Sequence, residues 1–315
     1  MTFALTKSKM YKYITRSNRY IYRSGENTMK DNNINSKRKL GTCLGMGYAV
    51  PKSEQLRVIK DAGFSAFFTM WSDTAPISEL RERGEALGLE YETLHAPFAG
   101  MNCLWLDGAD GDDYRDMLLR NVDCCADNGI GIMVTHVTVA AVAPPPSEVG
   151  AERFRAIFDR AGERGVRIAL ENLEIPEHLA FLFGLARDMK QVGFCWDTGH
   201  NNCYTPDIDM MALYGDRLIC THINDNLGIV EHPPAITWHD DVHYMPFDGT
   251  VDWNAAAAKI RAAGYSGTLT LELTSKKKVP QNPDTRYERM SFEEFVRESY
   301  AAAERFAAMC DGGEV

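Results

Sequence analysis

Five of the eight histidines, His95, His136, His200, His222 and His243, and several carboxylates stand inside or just after short apolar runs. In chain order, Leu94-His95-Ala96-Pro97-Phe98 is followed by Met133-Val134-Thr135-His136-Val137 and Ala169-Leu170-Glu171-Asn172-Leu173-Glu174. Cys195-Trp196-Asp197-Thr198-Gly199-His200, Cys220-Thr221-His222-Ile223-Asn224-Asp225, Asp241-Val242-His243 and Leu271-Glu272-Leu273 complete the series. A charge inside an apolar run is costly to bury unpaired, so Glu171, Asp197 and Glu272 need cations or donors beside them. If all these groups face one mouth of a fold, carboxylates and imidazoles converge, which is what a divalent metal ion requires. The minimal set is Glu171, Asp197, His222 and Glu272, and it suits Mn²⁺, Mg²⁺, Co²⁺ or Zn²⁺ without separating them. Each member alone has a plainer explanation. A single strand histidine is more often a satisfied core residue, Asp197-Thr198-Gly199-His200 reads as a capped turn, and Glu171 as a buried salt bridge. The coincidence of such groups at the ends of six consecutive apolar runs favours the joint reading.

Positioning them calls for strands that end together. From residue 40 onward, apolar runs alternate with amphipathic or charged stretches in eight pairs. The predicted strands are Leu40–Gly47, Phe64–Met70, Tyr91–Pro97, Ile132–Val139, Arg167–Glu174, Val192–Asp197, Leu218–Asp225 and Thr268–Thr274. The predicted helices are Ser53–Ala62, Ile77–Leu87, Asp112–Asp127, Ala151–Arg164, Glu177–Arg187, Met210–Tyr214, Trp253–Ala263 and Phe292–Met309. Gly63, Gly129, Gly165 and Gly264 lie where a helix must turn into a strand, a place that favours a left-handed residue. Alternating strand and helix means parallel strands with crossover helices, and eight units favour a closed ring. The expected fold class is α/β, a single (β/α)8 TIM barrel over residues 40–310, with its functional residues at the C-terminal strand ends. No GxGxxG or GxxxxGK[ST] follows the first strand, which removes the common dinucleotide and P-loop readings. Pro144-Pro145-Pro146 reads as a rigid spacer, and His178, His232 and His239 as ordinary packing or surface residues. Arg81-Glu82-Arg83 and Lys276-Lys277-Lys278 read as solvated faces, although the lysines follow the eighth strand, where they could meet a substrate phosphate.

Of 315 residues, 45% are hydrophobic and 25% charged, which excludes disorder, collagen and coiled coil. The net charge of −10 is unevenly spread: residues 1–39 hold ten Lys/Arg against two acids, a net of +8, so residues 40–315 carry −18. So acidic a body argues against a general nucleic-acid binder. No window approaches the roughly 20 apolar residues of a membrane helix, so no membrane partner is expected. Eight scattered cysteines without CxxC spacing fit reduced thiols of a cytoplasmic protein. Residues 1–39, basic and without periodicity, read as a disordered extension with Met29 a candidate start, a transit peptide being the competing reading. A homo-oligomer is compatible with all of this.

At these residues the sequence resembles the xylose isomerase-like TIM-barrel superfamily. That group includes sugar phosphate isomerases/epimerases, ketose 3-epimerases and the endonuclease IV type of AP endonuclease (AP endonuclease family 2). The resemblance covers about residues 40–305 and rests on the motifs above in their order. Pro246-Phe247-Asp248-Gly249-Thr250-Val251-Asp252-Trp253 is similar to the family's turn into the seventh helix, with Phe247 and Asp248 departing from its Gly-rich form. The resemblance implies a metal-dependent sugar or sugar phosphate isomerase or epimerase of carbohydrate metabolism. Glu171, Asp197, His222 and Glu272 would bind the ion, and Glu171 and Glu272 would also transfer the proton through a metal-bound cis-enediolate. His200 would orient a substrate oxygen, with His95, His136, Trp105 and Asn172 also assigned to substrate contact. The endonuclease relatives imply further metal ligands at His95, His136, His200, Asp241 and His243. Against that alternative stand the −18 body, the absence of Lys or Arg from residues 222–253, and an acidic loop at Asp107, Asp110, Asp112 and Asp113. A catalytically silent sugar- or metal-binding barrel is a third reading, and retention of both glutamates argues against it.

Overall fold

In the computed structural model, which describes residues 38–229, 238–280, 282–283 and 285–312, eight strands lie parallel in the order β7-β6-β5-β4-β3-β2-β1-β8. They are β1 (Leu40–Cys43), β2 (Ala66–Met70), β3 (Glu90–His95), β4 (Ile132–Thr135), β5 (Arg167–Glu171), β6 (Val192–Asp197), β7 (Leu218–His222) and β8 (Leu269–Leu271). An isolated Ile223–Leu271 bridge, one residue past the end of β7, brings the outermost two together and nearly closes the ring. Two main-chain bonds make that seam, Ile223 N to Thr270 O (2.8 Å) and Glu272 N to Ile223 O (3.1 Å), while the Thr221 hydroxyl accepts from Thr270 N.

The helices are α1 (Lys52–Ala62), α2 (Ile77–Ala86), α3 (Ala109–Asp127), α4 (Glu148–Arg164), α5 (Pro176–Leu185), α6 (Thr198–Cys203), α7 (Met210–Tyr214), α8 (Trp253–Ala262) and α9 (Phe292–Cys310). Their starts follow capping chemistry: Ser147, Asp197, Asp252 and Ser291 accept main-chain N–H bonds, and Ser291 forms a capping box with Glu294. Gly63, Gly129, Gly165 and Gly264 all have positive φ, as the helix-to-strand turns require.

Most apolar runs outlast their strands. Val137 and Leu173 are buried beyond the ends of β4 and β5, because the loops over the barrel mouth also pack inward. The helix after β3 begins at Ala109 rather than Asp112, so Asp110 joins Asp112 and Asp113 in its first turns, where the helix dipole favours them. Buried Arg153 of α4 pairs with Asp112 and donates to the carbonyls of Cys103, Leu104, Leu106 and Gly108, fixing the loop between β3 and α3. The helix α6, directly after β6, was not expected as a helix.

Arg38 and Lys39 belong with the barrel rather than with a tail. Arg38 binds Asp311 and the Tyr265 carbonyl, and Lys39 pairs with Glu90. The remaining basic extension, residues 1–37 with Met29, and His232 lie outside the described residues. Among the described residues no helix is long and apolar enough to cross a membrane.

Two apolar regions stabilise the fold. A large one fills the space between sheet and helices, with Phe64, Phe67, Phe154, Phe158, Phe194 and Phe306 among its members. A small one inside the ring consists of Ile132, Val134, Ala169, Cys195 and Cys220. Below the mouth, Glu92 of β3 reaches across the ring to the Thr270 hydroxyl. Burial pushes its carboxyl up to about 7.

Candidate active site

Side chains alternate along a strand, so a residue two positions beyond an inward-facing one faces inward as well. Two steps past the interior residues Val134, Ala169, Cys195 and Cys220 stand His136, Glu171, Asp197 and His222. The same period places His95 two residues after Thr93 and Glu272 two after Thr270. The apolar interior thus ends in a polar layer at the C-terminal mouth.

Glu171 is its centre and is fully buried. Its Oε1 lies 2.8 Å from His222 Nδ1, and its Oε2 lies 3.2 Å from His95 Nε2 and 3.3 Å from His136 Nε2. His222 Nδ1 is also 3.1 Å from Glu272 Oε2. Asp197 accepts from the His200 main-chain N–H at 2.7 Å, capping α6, and from Asn224 Nδ2 at 2.8 Å. The capped turn and the convergent carboxylate are therefore the same residue. Gly199 lets α6 approach so closely, because a β-carbon there would collide with the Asn224 side chain.

One donor atom from each of Glu171, Asp197, His222 and Glu272 lies within 4.8 Å of the other three. The chemistry of this set fits a divalent cation. Three carboxylates, two of them fully buried, crowd together, and His222 keeps a buried Nε2 without a partner.

The electrostatics are mutual. Burial alone would raise the Glu171 carboxyl, but His222, His136 and His95 hold it well below the carboxylate range. Burial likewise opposes the charge on His222, yet Glu272 and Glu171 hold its imidazole well above the ordinary range. Asp197 is pushed up to about 6 by burial, with His200 opposing and Glu171 adding to the rise. Desolvation lowers His136.

Beside this layer lies a second group. His200 Nε2 stands 3.3 Å, and His243 Nε2 2.7 Å, from Asp241 Oδ2. Their opposite ring nitrogens are directed by main-chain carbonyls, His200 Nδ1 by Asn172 O (3.0 Å) and His243 Nδ1 by Glu272 O (3.1 Å). His243 holds a positive φ of 50°, a sparsely populated backbone state.

All nine predicted His, Asp and Glu positions thus meet at one end of the barrel. Asn172 is adjacent but occupied: its side chain donates to Asp197 O and accepts from Asp197 N, locking β5 to β6. Trp105 is elsewhere. Its indole is buried, donates to Val137 O and lies against Phe154 and His178, with Gly150 of α4 leaving it room, so it lines the core rather than the mouth.

Other side chains at the mouth have partners that the sequence did not give them. Lys278 is not a solvated face, since its ammonium lies 2.6 Å from Asp241 Oδ2. Phe68 stacks on His222 at 4.8 Å, Phe98 on His136 at 4.5 Å and Tyr204 on His200 at 5.0 Å. The sequence placed Lys278 after the eighth strand, toward a substrate phosphate rather than Asp241, and Phe68 and Tyr204 carried no signal.

A family model described as xylose isomerase-like TIM barrel matches residues 56–294. The uncharacterized protein y4fM of Sinorhizobium fredii is 26% identical over 245 residues, 69% of this chain and 68% of that protein. A 3-dehydroshikimate dehydratase of Pseudomonas putida is 24% identical over 233 residues, which is 70% of this chain but only 35% of that protein's length. Among solved structures, D-psicose 3-epimerase with D-tagatose from Clostridium cellulolyticum H10 superposes with a TM-score of 0.68. It shares 15% identity and is matched over 86% of this chain and 99% of that one. The 3-keto-D-glucoside 4-epimerase YcjR of E. coli gives a TM-score of 0.62 at 19% identity, over 85% and 100% of the two chains.

Proposed function

The chain belongs to the xylose isomerase-like TIM barrel family, and from that premise we propose that it is a divalent-metal-dependent isomerase or epimerase of a small sugar or sugar phosphate. The observation that carries the reading is the convergence of Glu171, Asp197, His222 and Glu272 at the barrel mouth. These four would hold the ion. A divalent ion there would supply Lewis acidity that acidifies the hydrogen on the carbon next to a substrate carbonyl.

The chain's own groups do the rest. Glu171 and Glu272, whose oxygens flank His222 Nδ1, take and return that proton, a contribution of typically about 10²–10⁴ in rate. His200, fixed through Asn172 O and the Asp197 cap, orients a substrate oxygen with Nε2. Phe98, at the mouth and flat against His136, forms an apolar wall beside the sugar ring. The eight free cysteines support a reducing, cytoplasmic setting.

The test is deuterium incorporation next to the carbonyl of a panel of ketoses and aldoses in D₂O, followed by NMR. Exchange is expected from ion-loaded protein and absent from Glu171→Gln and Glu272→Gln, with circular dichroism unchanged. Chelation abolishes it and ion return restores it. Undiminished exchange in chelator-stripped protein would overturn the reading.

The dehydratase relative favours a second reading, loss of water from a hydroxy-ketone, which starts with the same proton removal. A product with a new conjugated ultraviolet absorbance separates it from epimerisation. An endonuclease is disfavoured by the acidic body and by the lack of Lys or Arg in residues 222–253.

A further inference from the structure

The group formed by His200, Asp241 and His243 offers ligand atoms close enough to hold one cation. Both imidazoles give their Nδ1 to main-chain carbonyls and turn Nε2 toward Asp241, the orientation in which second-sphere carbonyls prepare histidines to bind a metal. A positive charge nevertheless already stands there. Lys278 Nζ lies 2.6 Å from Asp241 Oδ2, the same oxygen that both imidazoles face.

Lys278 is no loose surface lysine, since its side chain is only 24% exposed. Its loop is pinned on both sides: Ser275 donates from N and Oγ to Met46 O, and Asn282 accepts from Val279 N and donates to His239 O. Asp241, only 5% exposed, keeps a buried Oδ1 without a partner, a free coordination position that a small divalent ion could use and the single ammonium does not fill. A divalent ion and an ammonium competing for one carboxylate oxygen at this distance exclude each other, because like charges so close and so buried repel strongly.

We infer that Lys278 is a built-in cation that occupies the His200–Asp241–His243 group and sets the number of divalent ions the barrel mouth accepts. The inference rests on the reading of this mouth as a divalent-ion site. It concerns only the second group, leaving Glu171, Asp197, His222 and Glu272 to their own ion.

The test counts ions. Full-length protein is stripped with chelator, loaded with Zn²⁺ or Mn²⁺, freed of excess by gel filtration and measured by elemental mass spectrometry. Lys278→Met is expected to carry one ion per chain more than the wild type, and Lys278→Arg the wild-type number. Adding His243→Ala to Lys278→Met returns the count to the wild-type value, which places the extra ion in this group. Lys278→Gln repeats the measurement with a polar side chain, so that a folding defect in one variant does not decide the outcome. An equal count in wild type, Lys278→Met and Lys278→Gln overturns the inference, as does an extra ion that survives His243→Ala. A wild type that binds no ion counts instead against the proposed function, and the Lys278 comparison still decides this inference.

Discussion

Glu92 shows how one side chain can tie stability to pH away from the chemistry. Burial raises its carboxyl from 4.5 to about 7, and the Thr270 hydroxyl is its partner across the ring. Below pH 4.5 folded and unfolded chains are both protonated there, and no penalty arises. As pH rises from 4.5 to about 7, the unfolded chain ionises while the folded one retains its proton, so stability is lost across that window. The loss by neutral pH is on the order of 2–3 kcal/mol. Glu92→Gln is therefore expected to raise the melting temperature at neutral pH, with a gain that shrinks to nothing as pH falls toward 4.5. A gain independent of pH would contradict this assignment. Glu92 was not legible in the sequence, because a glutamate in an alternating strand reads as solvent-facing until the ring closes over it. Glu171 and Glu272 were legible, because they interrupt apolar runs at strand ends. Trp105, assigned to substrate contact through the resemblance, lies instead in the core, where Gly150 opens a seat for it.

At the scale of the element, the turn from Pro246 into α8 depends on Asp225. Its two oxygens accept from the main-chain N–H groups of Asn226, Phe247, Gly249 and Val251 and from the Trp253 indole, all at 2.9–3.1 Å. Asp225→Asn would aim an amide N–H at part of that ring of donors. It is expected to destabilise the protein by roughly 3 kcal/mol in urea unfolding. A change below about 1 kcal/mol would mean that water replaces the lost acceptor. The departure of Phe247 from a Gly-rich turn is accommodated rather than avoided. It takes a positive φ of 76°, where glycine is favoured, and its ring packs 5.3 Å from Trp253 beneath the Arg305 guanidinium. The alternation of strands and helices was legible from periodicity and glycine turns. The strand ends were not, because the loops over the mouth are as apolar as the strands they leave, as Val137 and Leu173 illustrate. The helix α6 was read only as a capped turn, because its six residues include Gly199, Asn201 and Asn202, all poor helix formers.

For the whole molecule, the charge balance has a location. The acidic body gathers Glu171, Asp197, Asp241 and Glu272 at one mouth, where histidines and Lys278 offset them. The ring around that mouth is held unevenly: neighbouring strands share registers of three or more residues, while β7 and β8 meet at one bridge. His222 stands on one side of the seam and Glu272 on the other, 3.1 Å apart. Under the proposed function, a cation held by both would act on the barrel as a buckle acts on a hoop. Ion loading is expected to raise the melting temperature and to slow amide hydrogen exchange most at Ile223 and Glu272, with little change at the β4–β5 registers on the far side. Equal protection all round would deny the seam this role. Protease resistance of the last strand and helix would then report how full the site is, and a chain deprived of its ion would be the one that a cell's proteases unfasten first.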